Sequence, residues 1–315
     1  MNQPLVTLIV ITYNSSPFVV ETLESAKAQT YHNIELLICD DSSTDDTVAV
    51  CSDWLMENSS RFTRTRLIAE SKNTGVAGNL NRGINEAHGE WIKGIAGDDT
   101  LKDHCIDTYV RYVSGNPDIR FVHAAADIYS EEFRDDCFIS HSNDHYESMH
   151  NNHLTPEKQF QILLTRAHLL APTTFIKKDV FEQAGLYDET IPMLEDWPMW
   201  LRISRQGIQM YYLDICTINY RIHSGSLTNK KGTTIMYKSH TFDIFAVYKK
   251  YIRQHLSPIH RMINDHIVFY THFSRKIFRN RRSLFTRGFH FLIIKPAYAI
   301  NEHLNQRLIA RNDKP

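Results

Sequence analysis

Adjacent aspartates, Asp98 and Asp99, end the apolar segment 90–99, in which Gly94 and Gly97 interrupt the hydrophobic residues. Two neighbouring carboxylates repel each other unless a positive charge lies beside them. A divalent cation supplies that charge, because hard cations prefer carboxylate oxygens, and it can also neutralise the phosphates of a nucleotide. The alternative is a solvated turn, since Asp and Thr are common turn residues.

Polar residues also follow two apolar runs nearer the N-terminus. Asp41 follows Asp40 at the end of the second run, where a carboxylate can accept the imide N–H of a pyrimidine. The Ser, Thr and Asp residues that follow are also typical of helix starts, which leaves capping open. Thr12 and Tyr13 end the first run, where an aromatic ring can stack on a nucleobase or simply pack in the protein.

Asn73 and Gly75 lie near a predicted helix start, where free backbone N–H groups favour phosphate. The segment is neither a Walker A loop nor a dinucleotide-binding glycine motif, so it predicts no particular nucleotide by itself.

A second carboxylate pair, Glu195 and Asp196, lies at another predicted helix start. Asp196 is predicted as the N-cap, with Pro198 in the first turn and Gly207 after the last turn. A carboxylate that the helix dipole keeps ionised can act as a general base, although simple capping is the alternative. His223 follows a predicted strand, and it is either structural or a ligand of a carboxylate-bound cation.

The elements that position these residues alternate regularly over the first hundred residues. Unbroken apolar runs suit strands that are buried on both faces of a parallel sheet, and their spacing fits βαβ units. The predicted strands are 5–14, 34–41, 65–71 and 90–99, and the predicted helices are 17–29, 44–56 and 76–87. The pairs Asp40–Asp41 and Asp98–Asp99 are therefore expected at the carboxyl edge of the sheet, where ligands bind in open α/β folds.

The second half of the chain is less regular. It predicts a strand at 119–130, helices at 156–168 and 178–184, and one or two strands within 208–226. Residues 131–156 are expected to form a long loop. No metal site is expected from its histidines, because no helix brings them together; they are His141, His145, His150 and His153.

Composition narrows the class of protein. The chain has 315 residues, a net charge of −1 and no general attraction for nucleic acid. Its five cysteines are scattered without a Cys-x-x-Cys pair, which argues against a disulfide framework or a zinc site and favours a cytoplasmic protein. No signal peptide is expected, and no apolar run approaches the roughly 18 residues that span a bilayer.

The segment 233–315 is predicted to be helical, aromatic and basic. Between Lys249 and Arg287 it carries ten Lys and Arg residues against one acidic residue, Asp265. Such a segment suits peripheral contact with an anionic membrane surface. An ordinary helical appendage with a solvated face is the alternative.

Taken in order, these segments resemble the family 2 glycosyltransferases, which are inverting enzymes of the GT-A fold. The resemblance covers about residues 5–228 and rests on VTLIVITYN, QTYHNIELLICDDSSTDDT, NTGVAGNLNRGINEAHGEWI, GIAGDDTL, FEQAGLYDET, EDWPMWLRI and YRIHSGSLT. It implies an α/β GT-A domain at 1–232, with a Rossmann-like nucleotide-binding half at 1–100 and an acceptor half at 101–232. Residues 233–315 are then a helical C-terminal extension.

The resemblance also implies a role for each candidate residue. Asp196 matches the catalytic base, and Asp99 and His223 match the ligands of a Mn²⁺ or Mg²⁺ ion. The residues implied to bind the nucleotide-sugar are Thr12, Tyr13, Asp41, Asn73, Gly75 and Asp98, with Asp41 on uracil and Asp98 toward the ribose. One position departs from the family: Leu80 stands where many members have an arginine, so a diphosphate contact is expected instead from Lys72 or Arg82.

The implied activity is transfer of a sugar from a nucleotide-sugar donor, with UDP as the expected nucleotide. The implied acceptor is a glycan or a polyprenyl-diphosphate-linked glycan in the synthesis of a bacterial surface polysaccharide such as O-antigen or capsule. Such an enzyme works in the cytoplasm or on the inner face of the membrane. A nucleotidyltransferase that makes the activated sugar is less well matched, because NSSPFVVE after the first strand lacks a Gly-rich basic loop. A non-catalytic sugar- or nucleotide-binding protein is the remaining alternative.

Overall fold

The computed structural model describes residues 3–145, 147–191, 194–225 and 236–312. Its strands are β1 (Val6–Thr12), β2 (Ile34–Asp40), β3 (Arg64–Ala69), β4 (Trp91–Ala96), β5 (Thr100–Leu101), β6 (Phe121–Ser130), β7 (Phe138–His141), β8 (Phe175–Lys177) and β9 (Tyr211–Ile222). Its α-helices are α1 (Val19–Lys27), α2 (Thr47–Asn58), α3 (Gly75–Glu86), α4 (Cys105–Ser114), α5 (Pro156–Leu163), α6 (Lys178–Ala184), α7 (Asp196–Arg205), α8 (Ser239–Val247), α9 (Pro258–Ile277), α10 (Leu284–Phe289) and α11 (Lys295–Asn312).

The strands form a nine-stranded mixed sheet in the order β3-β2-β1-β4-β8-β6-β9-β5, with β7 paired to β6. The first four strands are parallel, as the apolar runs predict, and every residue of β2 is buried. Parallel pairing brings the carboxyl ends of β1, β2 and β4 to one edge, so that Thr12 pairs with Asp40. The predicted α/β fold with a parallel N-terminal sheet is confirmed.

Strands from the second half of the chain add antiparallel pairs to the parallel sheet and make it a mixed one. Strand β8 runs antiparallel to both β4 and β6, and β9 runs parallel to β6. The short strand β5 follows Asp98 and Asp99 and pairs with β9, so that Thr100 lies opposite Asn219. This pairing brings the end of β9, and with it His223, to the acidic pair.

Some sequence-based boundaries were wrong. Within 131–156, β7 and short 3₁₀ turns replace the expected structureless loop, because β7 completes an edge of β6. Helix α5 ends at Leu163 rather than residue 168, and His168 has a positive φ of 52° that a helix does not allow. Helix α4 was not predicted at all.

The C-terminal helices pack on the rest of the molecule. Phe245, Tyr248 and Leu256 belong to the same buried apolar cluster as Trp200 of α7. Lys250 Nζ and the Tyr251 hydroxyl both donate to Asp188 Oδ2, at 2.7 and 2.6 Å. The predicted boundary between 232 and 233 lies outside the described residues. Among the helices in the described ranges, none combines the length and apolar character that a membrane span requires.

Candidate active site

Asp98 and His223 meet at the carboxyl edge of the sheet. His223 Nε2 lies 3.0 Å from Asp98 Oδ2, although the two residues are 125 positions apart in the chain. The Asp98 side chain keeps 28% of its surface exposed, so its oxygens are accessible from solvent. The Phe18 ring packs against the imidazole with centroids 4.6 Å apart and fixes its orientation. A carboxylate oxygen and an imidazole nitrogen therefore lie side by side at this edge.

The neighbouring Asp99, by contrast, is buried. It is 2% exposed, and one carboxylate oxygen accepts the backbone N–H of Arg221 at 2.8 Å. Burial, reinforced by the charge of Asp98, raises the pKa of Asp99 well above its usual range. The metal-ligand role of Asp99 stays a prediction, and the accessible carboxylate of the pair is that of Asp98.

Arg221, which the sequence analysis did not single out, organises this edge. Its side chain is 3% exposed and donates to the backbone oxygens of Asp98 and Glu131, at 2.8 and 2.6 Å. It also forms an ion pair with Glu21 of α1, and its guanidinium lies over the rings of Phe18 and Phe133. Its position near the end of β9, two residues before His223, was the available signal.

Gly97 lets the ends of β1 and β4 approach each other. A Cβ on Gly97 would lie 2.9 Å from Thr12 Cγ2, which real side chains do not tolerate, whereas one on Gly94 would meet only Leu80 at an ordinary 3.5 Å. The Thr12 hydroxyl is buried and donates to Asp40 Oδ2 at 2.8 Å. Tyr13, one residue further on, is 52% exposed and available for stacking.

Asp41 connects the end of β2 to the start of α3. Its carboxylate accepts the backbone N–H groups of Thr74 and Gly75, at 2.9 and 2.7 Å, and the Thr74 hydroxyl at 2.7 Å. Gly75 has a φ of 79° and also donates to the side chain of exposed Asn73. Asp41 is 2% exposed, so contact between its carboxylate and uracil requires the segment before α3 to move.

Arg82 and Lys72, the two candidates for the diphosphate contact, differ in their surroundings. Arg82 is held by Asn79, Thr74 and Glu70, whereas Lys72 is exposed. Lys72 is therefore the more accessible cation at this edge.

Asp196 begins α7, but it is not the N-cap that was predicted. Glu195 occupies the cap position without a side-chain cap, and Asp196 Oδ1 accepts the N–H of Trp197 at 2.6 Å inside the first turn. Burial raises the pKa of Asp196 to about 6. Burial and the Asp196 charge raise the pKa of Glu195 to about 8. Near neutral pH the two carboxyl groups therefore share one proton between them.

Trp200, one turn further along α7, influences the Asp196 carboxylate. Its buried indole N–H has no hydrogen-bond acceptor of good geometry among the described residues, yet it favours the ionised form of Asp196. An ionised, partly desolvated carboxylate with a raised pKa is suited to general-base chemistry.

Asn81 joins α3 to the segment after α6. Its amide donates to the Tyr187 carbonyl and the Glu189 carboxylate, at 2.9 and 2.8 Å, and its carbonyl oxygen accepts the N–H of Tyr187 at 2.8 Å. Burial raises the pKa of Tyr187, and the nearby charges of Glu195 and Asp196 raise it further. No hydrogen bond joins Asp196 to Asp98 or Asp99 within the described ranges.

A different group of potential ligands lies on β6, β7 and β9. The ligand atoms of Asp127, His141 and Cys216 are all within 4.8 Å of one another, so the strand pairing that sequence analysis missed does bring one loop histidine to a carboxylate. Lys102 Nζ lies 2.7 Å from Asp127 Oδ2. That ammonium already neutralises the carboxylate and opposes a second cation there.

Comparison with known proteins identifies the family. Residues 7–185, more than half of the chain, match the sequence profile of glycosyl transferase family 2. The chain belongs to this family. The protein is therefore a glycosyltransferase of family 2, as the resemblance implied. It is 27% identical over 251 residues to the Escherichia coli enzyme WfaP, a UDP-Glc:alpha-D-GlcNAc-diphosphoundecaprenol beta-1,3-glucosyltransferase, covering 77% of this chain and 87% of WfaP.

Solved structures share the fold of this family 2 glycosyltransferase. S. aureus TarS in complex with UDP-GlcNAc superposes with a TM-score of 0.61 at 16% identity, covering 98% of this chain and 89% of that one. The mannosyltransferase PcManGT from Pyrobaculum calidifontis, in complex with GDP-Man and Mn²⁺, gives a TM-score of 0.57 at 17% identity, covering 99% and 74%. These likenesses confirm the GT-A fold.

Proposed function

We propose that this enzyme transfers a sugar from a UDP-sugar to a hydroxyl of a lipid-linked or free glycan, with inversion at the anomeric carbon. The observation that carries the proposal is the contact between Asp98 and His223 at the carboxyl edge of the parallel strands, in a chain that belongs to glycosyl transferase family 2. UDP is supported by the bound ligand of TarS and by the donor named for WfaP.

The residues at this edge fit a divalent cation. Asp98 offers partly exposed carboxylate oxygens. His223 Nδ1 accepts the Gly225 N–H, so Nε2 donates to Asp98 Oδ2 at 3.0 Å and would have to release that proton to bind an ion. Mn²⁺ accepts such a set of oxygen and nitrogen ligands more readily than Mg²⁺. We propose that Asp98 and His223 hold the ion and that buried Asp99 keeps the strand ends in place through its bond to the Arg221 N–H. When bound, the ion would supply positive charge for the diphosphate of the donor.

The nucleotide is proposed to lie along the ends of β1 and β2. Exposed Tyr13 presents its ring to the base, beside Thr12. Asn73, Gly75 and Asp41 line the start of α3, where backbone N–H groups favour phosphate. Asp41 contacts uracil only if its bonds to Thr74 and Gly75 are exchanged for bonds to the base.

Asp196 is proposed as the catalytic base. Its carboxylate accepts the proton of the acceptor hydroxyl as the oxygen forms a bond to the anomeric carbon, and the bond to the nucleoside diphosphate breaks on the opposite face. Because this is one displacement, the configuration inverts and no covalent sugar–enzyme intermediate forms. The raised pKa of Asp196 improves it as a proton acceptor while it remains ionised at neutral pH.

The acceptor is proposed to be a polyprenyl-diphosphate-linked glycan, as the name of WfaP describes for that enzyme. We propose that 1–232 form the catalytic domain, with its nucleotide-binding half at 1–100 and its acceptor half at 101–232. The helical extension 233–315 would then contact the anionic inner face of the membrane, where such acceptors are found.

A product assay with a panel of radiolabelled nucleotide-sugars tests the activity. Incubation with Mn²⁺ and a polyprenyl-diphosphate-linked acceptor is expected to give a labelled glycolipid and free UDP. Release of pyrophosphate from a sugar phosphate and UTP would instead show a nucleotidyltransferase. Donor binding without any turnover over the whole panel of donors and acceptors would favour a binding protein.

A further inference from the structure

A cationic cavity of about 510 Å³ lies between the segment before α8 and the last helices of the chain. Four of its lining residues are basic: Lys238, Arg282, Arg287 and Lys295. The lining contains no Asp or Glu, and within the described ranges none of the four forms an ion pair with a carboxylate. Like charges that share a cavity repel one another, so a bound anion would lower their free energy.

The groups available in the cavity suit phosphate. Arg guanidinium forks and Lys ammonium groups are the usual protein partners of phosphate oxygens. His290 Nδ1 is within 3.3 Å of the Tyr237 hydroxyl. Burial and the charge of Lys295 lower the pKa of His290. The positive charge of the cavity therefore comes from its Lys and Arg residues.

An exposed apolar surface adjoins this cavity. It is formed by Leu284 and Phe285 at the start of α10 and by Phe291 and Leu292 after it, which are 85, 81, 61 and 71% exposed. Phe291 belongs to both features, because it lines the cavity and carries the Lys295 ammonium 5.1 Å from its ring centroid. Phe273 of α9, 42% exposed, extends the surface through its contact with Phe289.

We propose that this cavity binds the phosphate group of an anionic membrane lipid while the adjoining apolar surface enters the lipid interface. A soluble phosphate compound would account for the cations but not for exposed leucines and phenylalanines beside them. Large exposed apolar surfaces with polar rims mark interaction sites, and basic residues beside them match anionic lipid. The inference rests on the proposed function only in that membrane contact brings the enzyme to a lipid-linked acceptor.

Vesicle flotation of the full-length protein tests the site. Wild-type protein is expected to float with phosphatidylcholine vesicles that contain phosphatidylglycerol, and to bind pure phosphatidylcholine vesicles far less. The double variant Arg282→Glu/Arg287→Glu is expected to lower the affinity for anionic vesicles more than about tenfold. The matched control Lys249→Glu/Arg311→Glu makes the same change of charge on exposed residues of the same extension outside the cavity, and it is expected to bind within about threefold of wild type.

A second arm separates headgroup recognition from apolar insertion. Leu284→Ser/Phe285→Ser is expected to weaken vesicle binding while leaving the binding of inorganic pyrophosphate, measured by calorimetry, unchanged. Arg282→Glu/Arg287→Glu is expected to lose both. Pyrophosphate binding without any vesicle binding would overturn the proposal in favour of a soluble-anion site, as would equal losses of vesicle binding in the cavity and control variants.

Thermal unfolding and UDP binding are measured for each variant, so that a loss of vesicle binding can be distinguished from a loss of folding or of donor binding. The cavity variants are expected to match wild type in both, because the substituted residues are exposed and lie outside the catalytic edge. If the protein binds anionic vesicles through the cavity but transfers no sugar, the lipid site stands and the transferase proposal fails. If it transfers sugar but its vesicle binding ignores the cavity, the lipid site alone fails.

Discussion

Among single residues, Asp196 is the one whose substitution we expect to lower the rate of sugar transfer most. Asp196→Asn is expected to lower the transfer rate about 10²- to 10⁴-fold, because an amide cannot accept the proton of the acceptor hydroxyl. UDP affinity, measured by calorimetry, is expected to be unchanged. The neighbouring Glu195→Gln is the matched control: burial and the Asp196 charge raise the pKa of Glu195 further than burial raises that of Asp196, so we expect this variant to retain transfer. The reverse pattern would assign the base to Glu195.

The pKa of Asp196 also sets a pH dependence. Because burial raises this pKa from 3.8 to about 6, the ionised, active form is lost as the pH falls through about 6. We expect kcat/KM to fall about tenfold per pH unit below that value and to be flat between about pH 6.5 and 7.5. Glu195→Gln should keep the same acid limb. An acid limb near pH 4 would mean that the base is a solvated carboxylate elsewhere.

The two central aspartates should differ in their response to isosteric substitution. Asp98→Asn removes the charge of the accessible carboxylate beside His223, so Mn²⁺-dependent UDP binding is expected to weaken at least about tenfold. Asp99→Asn replaces a buried carboxyl whose pKa is raised well above its usual range, and the amide oxygen can still accept the Arg221 N–H. We therefore expect a loss below about threefold. Titration of UDP with and without Mn²⁺ measures both variants.

If Asp99→Asn abolished metal-dependent binding while Asp98→Asn did not, the ion would belong to Asp99, as the sequence first implied. That result would also require the strand ends to open around Arg221.

At the scale of elements, Gly97 allows the carboxyl ends of β1 and β4 to approach each other. Gly97→Ala would place a Cβ 2.9 Å from Thr12 Cγ2 and push apart the strand ends that hold Thr12 and Asp98. Overpacking of this kind costs about 1–3 kcal/mol, and we expect both stability and UDP affinity to fall. Gly94→Ala on the same strand meets only an ordinary 3.5 Å contact and is expected to cost less than about 1 kcal/mol. Urea unfolding and calorimetry compare the pair; equal effects would remove the role given to Gly97.

Element by element, sequence reasoning succeeded where the pattern was local. The unbroken apolar runs placed β1, β2 and β4 correctly and therefore predicted which edge carries the polar residues. It failed where tertiary pairing decides the structure: β5 has two residues and β8 three, too short to carry a pattern, yet these strands turn the sheet and bring β9 to Asp98. Helix α4 was missed although its apolar residues have the spacing of an amphipathic helix, so the sequence alone could have predicted it.

The same distinction applies to the site. Types and order of residues were enough to propose Asp41, Asp98, Asp196 and His223, because each lies at the end or the start of a recognisable element; their roles stay predictions. Which aspartate of the pair faces solvent could not be read from adjacent positions, since that depends on the bond between Asp99 and a backbone N–H 122 residues away. Arg221 was missed for a related reason: its partners lie on three separate segments.

For the molecule as a whole, the C-terminal helices are part of the core. Phe245, Tyr248 and Leu256 are buried in the cluster that contains Trp200, and Asp188 is bonded to Lys250 and Tyr251. A chain that ends before residue 236 is therefore expected to unfold at a temperature at least about 10 °C lower than the full chain, or not to fold. Calorimetry measures this, and an unchanged melting temperature would show that the catalytic domain is independent.

The most direct measurement is a crystal structure with UDP and Mn²⁺ in which anomalous scattering locates the ion. The Mn²⁺ peak is expected between Asp98, His223 and the diphosphate, with the base beside Tyr13 and with Asp196 facing the open side of the phosphate at which the sugar would be attached. A Mn²⁺ peak at Asp127, His141 and Cys216, or UDP bound away from the ends of β1 and β2, would contradict the proposed active site.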